Sequence, residues 1–193
     1  MSPHSLGSAR DLKPTPGQTI GPFYGYALPY DGDSELVPPG HPNAIRLHGQ
    51  VTDGAGDPVP DALIEVWQAD PTGVIPRAAG SLHRDGFTFT GWGRSSTDNT
   101  GRYSFSTVAP GSTASGAPPY FAITVFARGL LNRLFTRAYL PGGDAALAAD
   151  PLLASLDADR RATLVATADE QGYVFDVRLQ GDGETVFLTY PRH

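Results

Sequence analysis

The sequence predicts an all-β fold, an antiparallel β-sandwich with one short helix and an extended N-terminal arm. Two observations support this class. About seven short strand-like segments are separated by turn residues at regular spacing, and they do not alternate with helices as in βαβ units. The 23 glycines and 18 prolines fall between these segments, where such residues typically form turns.

The length of the chain favours one folded domain. A chain of 193 residues can bury one substantial core and is short for two. Residues 1–14 are polar and unpatterned, which predicts a flexible tail. A single sandwich domain is expected over residues 15–193, and it includes an N-terminal arm over residues 15–43. The arm is rich in Pro, Gly and aromatic residues, which favours an extended segment on a surface or a linker that only covers a sheet edge.

Strands are predicted where apolar residues alternate with polar ones or form a short continuous run. The predicted strands are 45–51, 62–68, 102–108, 120–126, 133–140, 174–179 and 185–188. Because a turn cluster at 53–58 separates the first two, they are expected to pair as a hairpin. One helix is predicted over 157–164, since Asp157 is a suitable N-cap and the apolar residues that follow are spaced for one face.

The composition excludes several classes of function. A formal net charge of −6 and a pI near 5.2 argue against broad binding to nucleic acid or to an anionic membrane. The absence of cysteine excludes disulfides, thiolate metal sites and a cysteine nucleophile. No signal peptide and no apolar run of about 18 residues is found, so a soluble cytoplasmic protein is expected. A small acidic ligand remains compatible, because one arginine can bind a carboxylate.

The five histidines do not form a metal-binding motif. They are His4, His41, His48, His83 and His193, and no two have the spacing of metal ligands. His48 lies on a predicted strand, where a histidine is usually a structural residue with a hydrogen-bond partner. We therefore do not expect this chain to bind a metal ion through its histidines.

Four motifs occur in order along the chain. They are His48-Gly-Gln-Val-x-Asp-Gly-x-Gly, Glu65-Val-Trp-Gln-Ala-Asp70, Thr97-Asp-x-x-Gly-x-Tyr-x-Phe105 and Pro110-Gly111. In this order they resemble the intradiol ring-cleavage dioxygenases, a family of non-haem iron(III) enzymes built on a β-sandwich. Segments 15–23, 126–129 and 180–187 are similar to the α subunit of the heteromeric members that cleave protocatechuate. The resemblance covers about residues 15–190.

The resemblance also indicates where an iron site would lie. In the catalytic chains of the family, two tyrosines and a His-x-His pair bind the ferric ion, a ligand set that suits a hard cation. The corresponding positions here are Ile75, Thr113, Tyr120 and Ala122. Two neighbouring groups differ as well, because an arginine is replaced by Ala117 and a glutamine by Arg137. The resemblance therefore implies no catalytic and no metal-binding residue in this chain, and an Fe³⁺ ion bound by a homologous β subunit.

The resemblance also implies a contribution to the substrate cavity. The α subunits of the family lend their N-terminal element to it, which makes Thr19, Gly21 and Pro22 candidate lining residues. Alternatively, Thr19 only caps a turn. Arg128 matches an arginine at the cavity entrance, where a guanidinium attracts or orients a carboxylate, although a surface arginine at a strand end is also unremarkable. Arg137 is expected either to contact a ligand or to pair with an acidic residue of the fold.

The leading hypothesis is a non-iron-binding subunit of a hetero-oligomeric enzyme. Together with an iron-binding β subunit, in αβ units, it would use O₂ to convert protocatechuate to 3-carboxy-cis,cis-muconate, a step of aromatic catabolism in the β-ketoadipate pathway. Two alternatives stay open. One is a stand-alone β-sandwich binding or interaction module without catalytic activity, and the other is an active enzyme with a relocated metal site.

Overall fold

The computed structural model describes residues 19–21, 24–77 and 84–190. These residues form strands connected by turns, together with a few short helices. The elements are α1 (Tyr24–Ala27), β1 (Ile45–Thr52), β2 (Leu63–Trp67), β3 (Trp92–Ser96), β4 (Arg102–Thr107), β5 (Tyr120–Phe126), β6 (Leu134–Tyr139), α2 (Asp144–Ala149), α3 (Pro151–Ala154), α4 (Ala158–Ala162), β7 (Thr167–Ala168), β8 (Gly172–Val174) and β9 (Val177–Arg178).

The strands lie in two sheets. The first sheet has the order β4-β1-β8-β7, with β9 also pairing with β1, and the second has the order β3-β2-β5-β6. β1 pairs in parallel with β8 and β9, whereas the other pairings are antiparallel. The predicted all-β sandwich is confirmed, and its first sheet contains strands of both directions.

Alternating side chains of the two sheets form the main core. In β5, Phe121, Ile123 and Val125 are buried while the residues between them are half-buried. They belong to one cluster with Leu47 and Phe105 of the first sheet. Burial of a large apolar side chain stabilises a fold by about 1.5–3 kcal/mol. The alternation therefore fixes which residues of β5 face the core and which face outward.

The prediction of a single helix is wrong, because the described residues contain four short helices. The predicted helix corresponds to α4, and the Asp157 side chain caps it by accepting a hydrogen bond from Arg160 N at 3.0 Å. α2 is rich in alanine, the residue with the highest helix propensity. Asp150 caps α3 and Pro151 opens it. α1 falls within the arm, so the arm is not extended throughout.

The predicted hairpin between segments 45–51 and 62–68 is also wrong, because β1 and β2 belong to different sheets. The chain does turn back after β1, but only one isolated bridge forms there, between Thr52 and Pro58. A proline cannot donate a hydrogen bond to a strand ladder. The chain then crosses to the second sheet, where β2 pairs with β3 and β5.

The structure also differs from the predicted strands at other places. β3 was not predicted, since its sequence Trp-Gly-Arg-Ser-Ser lacks a run of strand-forming residues. Segment 174–179 is divided between β8 and β9, and segment 185–188 makes only an isolated bridge between Leu188 and Phe135.

The division into a tail over residues 1–14 and one domain over 15–193 stays a prediction, and the tail lies outside the described residues. In the described part of the chain, no helix is long and apolar enough to cross a membrane. The second sheet positions the candidate site, because Trp67 of β2 and Tyr120 and Ala122 of β5 belong to it.

Candidate functional site

The outer face of the second sheet carries two of the positions that the resemblance assigns to an iron site. In β5, the alternation that buries Phe121 turns the side chains of Tyr120 and Ala122 away from the core. Ala122 is paired with Trp67 of β2 on one side and with Arg137 of β6 on the other. Three adjacent strands thus form the floor of this region.

Two loops come together above this floor because of a glycine. Gly73 has a φ of +90°, and a Cβ at this position would lie 1.9 Å from the carbonyl oxygen of Ser112. Only glycine allows the two backbones to approach so closely. Gly111 N donates to Asp70 O at 2.8 Å, which joins the same loops. A hydrogen bond from the Thr72 hydroxyl lowers the pKa of the Asp70 carboxyl, so the turn is held by a charged acceptor.

The loops and strands enclose a cavity of about 90 Å³, which we call the degenerate cavity. Its lining residues are Trp67, Gln68, Ala69, Ile75, Thr113, Tyr120 and Ala122. All four positions that the resemblance relates to iron ligands therefore line one cavity. The fold therefore brings these four positions together, as the resemblance implies.

The residues of the degenerate cavity do not fit an iron ion. Ile75 and Ala122 have no donor atom, so the hydroxyls of Thr113 and Tyr120 are the only side-chain oxygens at the four positions. A ferric ion prefers several anionic oxygen or imidazole ligands. Within residues 19–21, 24–77 and 84–190, no group of three or more His, Cys, Asp or Glu is placed to hold a metal ion.

A cationic side chain lies directly beside the cavity. The Arg137 Cζ atom is 4.3 Å from the centroid of the Tyr120 ring, and its Nη1 donates to the Tyr139 hydroxyl at 3.0 Å. That hydroxyl donates to Asp150 Oδ1 at 3.2 Å, and burial raises the pKa of Tyr139 to about 12, so it stays protonated. Among the described residues, Arg137 is thus linked to an acidic residue through Tyr139, and its charge disfavours a second cation at Tyr120.

Two of the predicted residues, Thr19 and Arg128, lie beyond the opposite end of β5, together with two residues that were not predicted. We call this group the arm corner, and it consists of Thr19, Asp61, Arg128 and Gly129. Gly129 N donates to Thr19 Oγ1 at 2.8 Å, so this hydroxyl ties the arm to the sandwich. Arg128 Nη2 forms an ion pair with Asp61 Oδ2 at 2.8 Å, and the Arg128 side chain is 56% exposed.

Asp61 has an unusual backbone conformation. Its φ of 62° makes it the one non-glycine residue with positive φ in the described part of the chain. This left-handed conformation costs an ordinary residue roughly 1–2 kcal/mol, and less for Asp. The Tyr24 hydroxyl donates to the Asp61 carbonyl oxygen, and burial raises the pKa of Tyr24 to about 12. The hydroxyl therefore remains a donor and holds Asp61 from the side of α1.

The remaining predicted cavity residues lie in the arm. Gly21 is exposed, with no atom within 4 Å of the point where a Cβ would be, and Pro22 lies outside the described residues. At about 3.3 Å per residue, the seven residues of β5 separate the arm corner from the degenerate cavity by roughly 20 Å. Thr19 and Arg128 therefore do not line this chain's own cavity, and their role in a substrate cavity stays a prediction.

The prediction that His48 is a structural residue is confirmed. Its Nε2 atom lies 3.0 Å from Asp169 Oδ2, and the two side chains are 20% and 34% exposed. His4, His83 and His193 lie outside the described residues. The sequence reasoning missed Tyr24 and Asp61, because their roles depend on a backbone angle and on a contact between distant segments. An Asp directly before an apolar strand was the only signal available.

Taken together, these features define a class: a β-sandwich in which the four positions that the resemblance assigns to iron ligands line one cavity and carry side chains that do not fit iron. The chain belongs to the family described as "Dioxygenase", whose model matches residues 20–181. It is 42% identical to the protocatechuate 3,4-dioxygenase alpha chain of Burkholderia cepacia, over 92% of this chain and 98% of that one. The predicted membership of the intradiol dioxygenases is thereby confirmed.

Two further proteins are similar to this chain. The protocatechuate 3,4-dioxygenase beta chain of Burkholderia cepacia is 33% identical, over 82% of this chain and 74% of that one. The solved dioxygenase domain of a dioxygenase carbohydrate-binding protein fusion from Streptomyces sp. SirexAA-E is 25% identical, covers 88% of this chain and 99% of that domain, and gives a TM-score of 0.53. Both an alpha and a beta chain are therefore homologous to this protein.

Proposed function

We propose that this chain is the non-iron-binding alpha subunit of a heteromeric protocatechuate 3,4-dioxygenase. The observation that carries the proposal is the 42% identity to an alpha chain over nearly the full length of both proteins. The degenerate cavity supports it, because none of its four former ligand positions keeps a family ligand. The complex would cleave protocatechuate with O₂ to 3-carboxy-cis,cis-muconate.

The proposed partner is a homologous beta subunit that binds Fe³⁺. A ferric ion there would supply the redox chemistry and bind the catechol oxygens. The residues of this chain would act on the substrate from the side, with Thr19, Gly21 and Pro22 forming part of the cavity wall. Arg128 would attract the substrate carboxylate to the entrance. The position of Thr19 and Arg128 away from the chain's own cavity supports a role at a site on another chain.

The alternatives from the sequence make different predictions. A stand-alone binding module would be a stable monomer that does not associate with a beta chain. An enzyme with a relocated metal site would contain iron when purified alone. A cytoplasmic location, which the sequence suggests, stays a prediction under each of them.

The proposal is tested by expressing this chain with and without a homologue that carries both tyrosines and the His-x-His pair. We expect the two chains to purify together and only the complex to consume O₂ when protocatechuate is added. Chains that fail to associate would favour the stand-alone module.

Arg128→Ala tests the cavity role within the same complex. The KM for protocatechuate should rise about 5- to 30-fold, as expected for the loss of roughly 1–2 kcal/mol of charge-assisted binding. Iron content should not change. Arg102→Ala is the matched control, because this exposed arginine starts β4 on the first sheet. An unchanged KM in Arg128→Ala would remove Arg128 from the substrate cavity.

A further inference from the structure

We propose that Asp61 is a positioning residue that holds Arg128 in the orientation needed to receive the substrate carboxylate. It thereby sets the preference of the complex for catechols that carry a negative charge. This inference rests on the proposed function, since it concerns the same substrate entrance. It assigns a role to a residue outside the motifs that identify the family.

The strand register places the two residues opposite each other. β2 and β5 are antiparallel, with Leu63 paired to Phe126. Asp61 lies two residues before Leu63 and Arg128 two residues after Phe126, so a continued ladder would bring them face to face. The ion pair of 2.8 Å between Arg128 Nη2 and Asp61 Oδ2 agrees with this continuation. The pair is thus built into the end of the second sheet.

Asp61 combines an uncommon backbone conformation with an ion pair to Arg128. Its left-handed backbone is uncommon for a residue with a side chain, although Asp adopts it more readily than most. The pair with Arg128 contributes little to folding, because the guanidinium is more than half exposed. Residues with uncommon backbone conformations are concentrated at functional sites. In this conformation the Asp61 carboxylate contacts the guanidinium of Arg128.

The surroundings hold Asp61 firmly. The buried Tyr24 donates its hydroxyl to the Asp61 carbonyl oxygen, which fixes the backbone. On the other side, Gly129 N binds Thr19 Oγ1 at 2.8 Å, so the residue after Arg128 is tied to the arm. The backbone at the base of Arg128 is therefore tied to the arm, and the tip of the side chain contacts Asp61.

The geometry leaves donors on Arg128 for a ligand. A guanidinium has five N–H donors in one plane, and Asp61 contacts it through Nη2. Within the described residues, Arg128 makes no other hydrogen bond or ion pair. A carboxylate can therefore bind the remaining edge while Asp61 keeps the plane oriented, which lowers the entropic cost of binding.

The test uses the complex of this chain with its iron-binding partner. Asp61→Asn removes the charge and keeps a residue that tolerates the left-handed conformation. KM is measured for protocatechuate, and the neutral amide of protocatechuate is measured as a substrate or competitive inhibitor. We expect a 3- to 10-fold rise in KM for protocatechuate, kcat within twofold, and no change for the amide. Asp182→Asn, at an exposed turn, is the matched control.

Two further variants separate positioning from a structural role. Asp61→Gly removes the carboxylate and introduces a residue that readily adopts the left-handed conformation. It should therefore raise KM for protocatechuate as much as Asp61→Asn does, without lowering the melting temperature. In an Arg128→Ala background, Asp61→Asn should have no additional effect on KM, because its effect acts through Arg128.

Several results would overturn the inference. An unchanged KM in Asp61→Asn, or equal changes for protocatechuate and the amide, would show that Asp61 does not act on the carboxylate. A lower KM would show that Asp61 only competes with the substrate for Arg128. If the wild-type complex is active and Arg128→Ala leaves the KM for protocatechuate unchanged, only this inference is refuted. If the wild-type complex does not turn over protocatechuate, the proposed function is refuted as well.

Discussion

Single residues decide the shape of the degenerate cavity. Gly73 lies where two backbones meet, and any side chain there would collide with the Ser112 carbonyl. The loops that carry Ile75 and Thr113 consequently come together at one cavity. The close approach of the two backbones therefore brings Ile75 and Thr113 to the same cavity as Tyr120 and Ala122.

Gly73→Ala tests this packing. The new methyl group would lie 1.9 Å from Ser112 O and would also occupy a left-handed conformation, so we expect a loss of about 2–4 kcal/mol in unfolding free energy. Gly116→Ala is the matched control, since Gly116 has a φ of +76° and no atom within 4 Å of the added Cβ. It should lose only about 1 kcal/mol. Equal losses in urea unfolding would show that the contact with Ser112 does not matter.

At this scale the sequence predicted positions better than contacts. Ile75, Thr113, Tyr120 and Ala122 could be found because each falls at a fixed place relative to a motif. The stacking of Arg137 on Tyr120 could not, since it depends on the register of β5 against β6. Local sequence contains no information on which strand will become a neighbour.

Polar side chains join separate elements of the fold, and Asp150 is one of these residues. Its carboxylate accepts hydrogen bonds from Leu152 N and Leu153 N, both at 3.0 Å, and so caps α3. It also accepts a hydrogen bond from the hydroxyl of Tyr139, the last residue of β6. One side chain thus couples a helix end to the strand that carries Arg137.

Asp150→Ala should lose both functions. A helix cap contributes about 1 kcal/mol, and the lost acceptor for a buried tyrosine hydroxyl adds about 1–2 kcal/mol, so we expect a loss of about 2–3 kcal/mol. Asp157→Ala removes a cap of α4 that makes no such contact in the described structure and should lose about 1 kcal/mol. Chemical denaturation of both variants checks the difference. Equal losses would mean that the bond to Tyr139 contributes nothing.

Prediction of the elements from sequence succeeded where the pattern was strong. β1, β5 and β6 show clear apolar alternation or a continuous apolar run, and they were found. The hairpin of β1 with β2 was wrong because turn residues at 53–58 indicate only that the chain reverses, not which sheet it enters. β3 was missed because its pairing with β2 is stabilised by tertiary contacts such as that of Arg94 with Glu65, whose Nη2 and Oε1 atoms lie 2.6 Å apart.

The whole molecule should be sensitive to acid, because several turns are built on ionised aspartates. Asp98 is an example: its Oδ1 atom accepts from Thr100 N at 2.8 Å and from Arg102 N at 3.0 Å. The bond from Arg102 N is the largest cause of the lowered pKa of Asp98. Asp70 and Asp169 also have lowered pKa values for similar reasons.

The direction of the pH effect follows from these shifts. A carboxyl whose pKa is lower in the folded state stabilises the fold above its ordinary pKa of 3.8, and this contribution is lost as the pH falls through the folded value. Asp98→Asn should therefore be less stable than wild type at pH 6, and the difference should shrink below pH 3.8. Urea unfolding at several pH values measures this. A difference that is independent of pH would contradict it.

The molecule as a whole separates two regions that a self-sufficient enzyme would combine. The degenerate cavity lies at one end of β5 and the arm corner lies beyond the other, roughly 20 Å apart. The residues proposed to form the entrance thus have no group of metal ligands beside them in the described part of the chain. Such a separation is expected for a subunit that completes the site of a homologous partner.

The most direct test is the iron content of the αβ complex and of this chain alone. We expect one iron per αβ pair, none in the isolated chain, loss of all iron when the His-x-His pair of the partner is replaced by alanine, and no loss in Tyr120→Phe of this chain. Iron in the isolated chain, or iron lost in Tyr120→Phe, would instead show that the cavity of this chain binds metal and would rule out the proposed role.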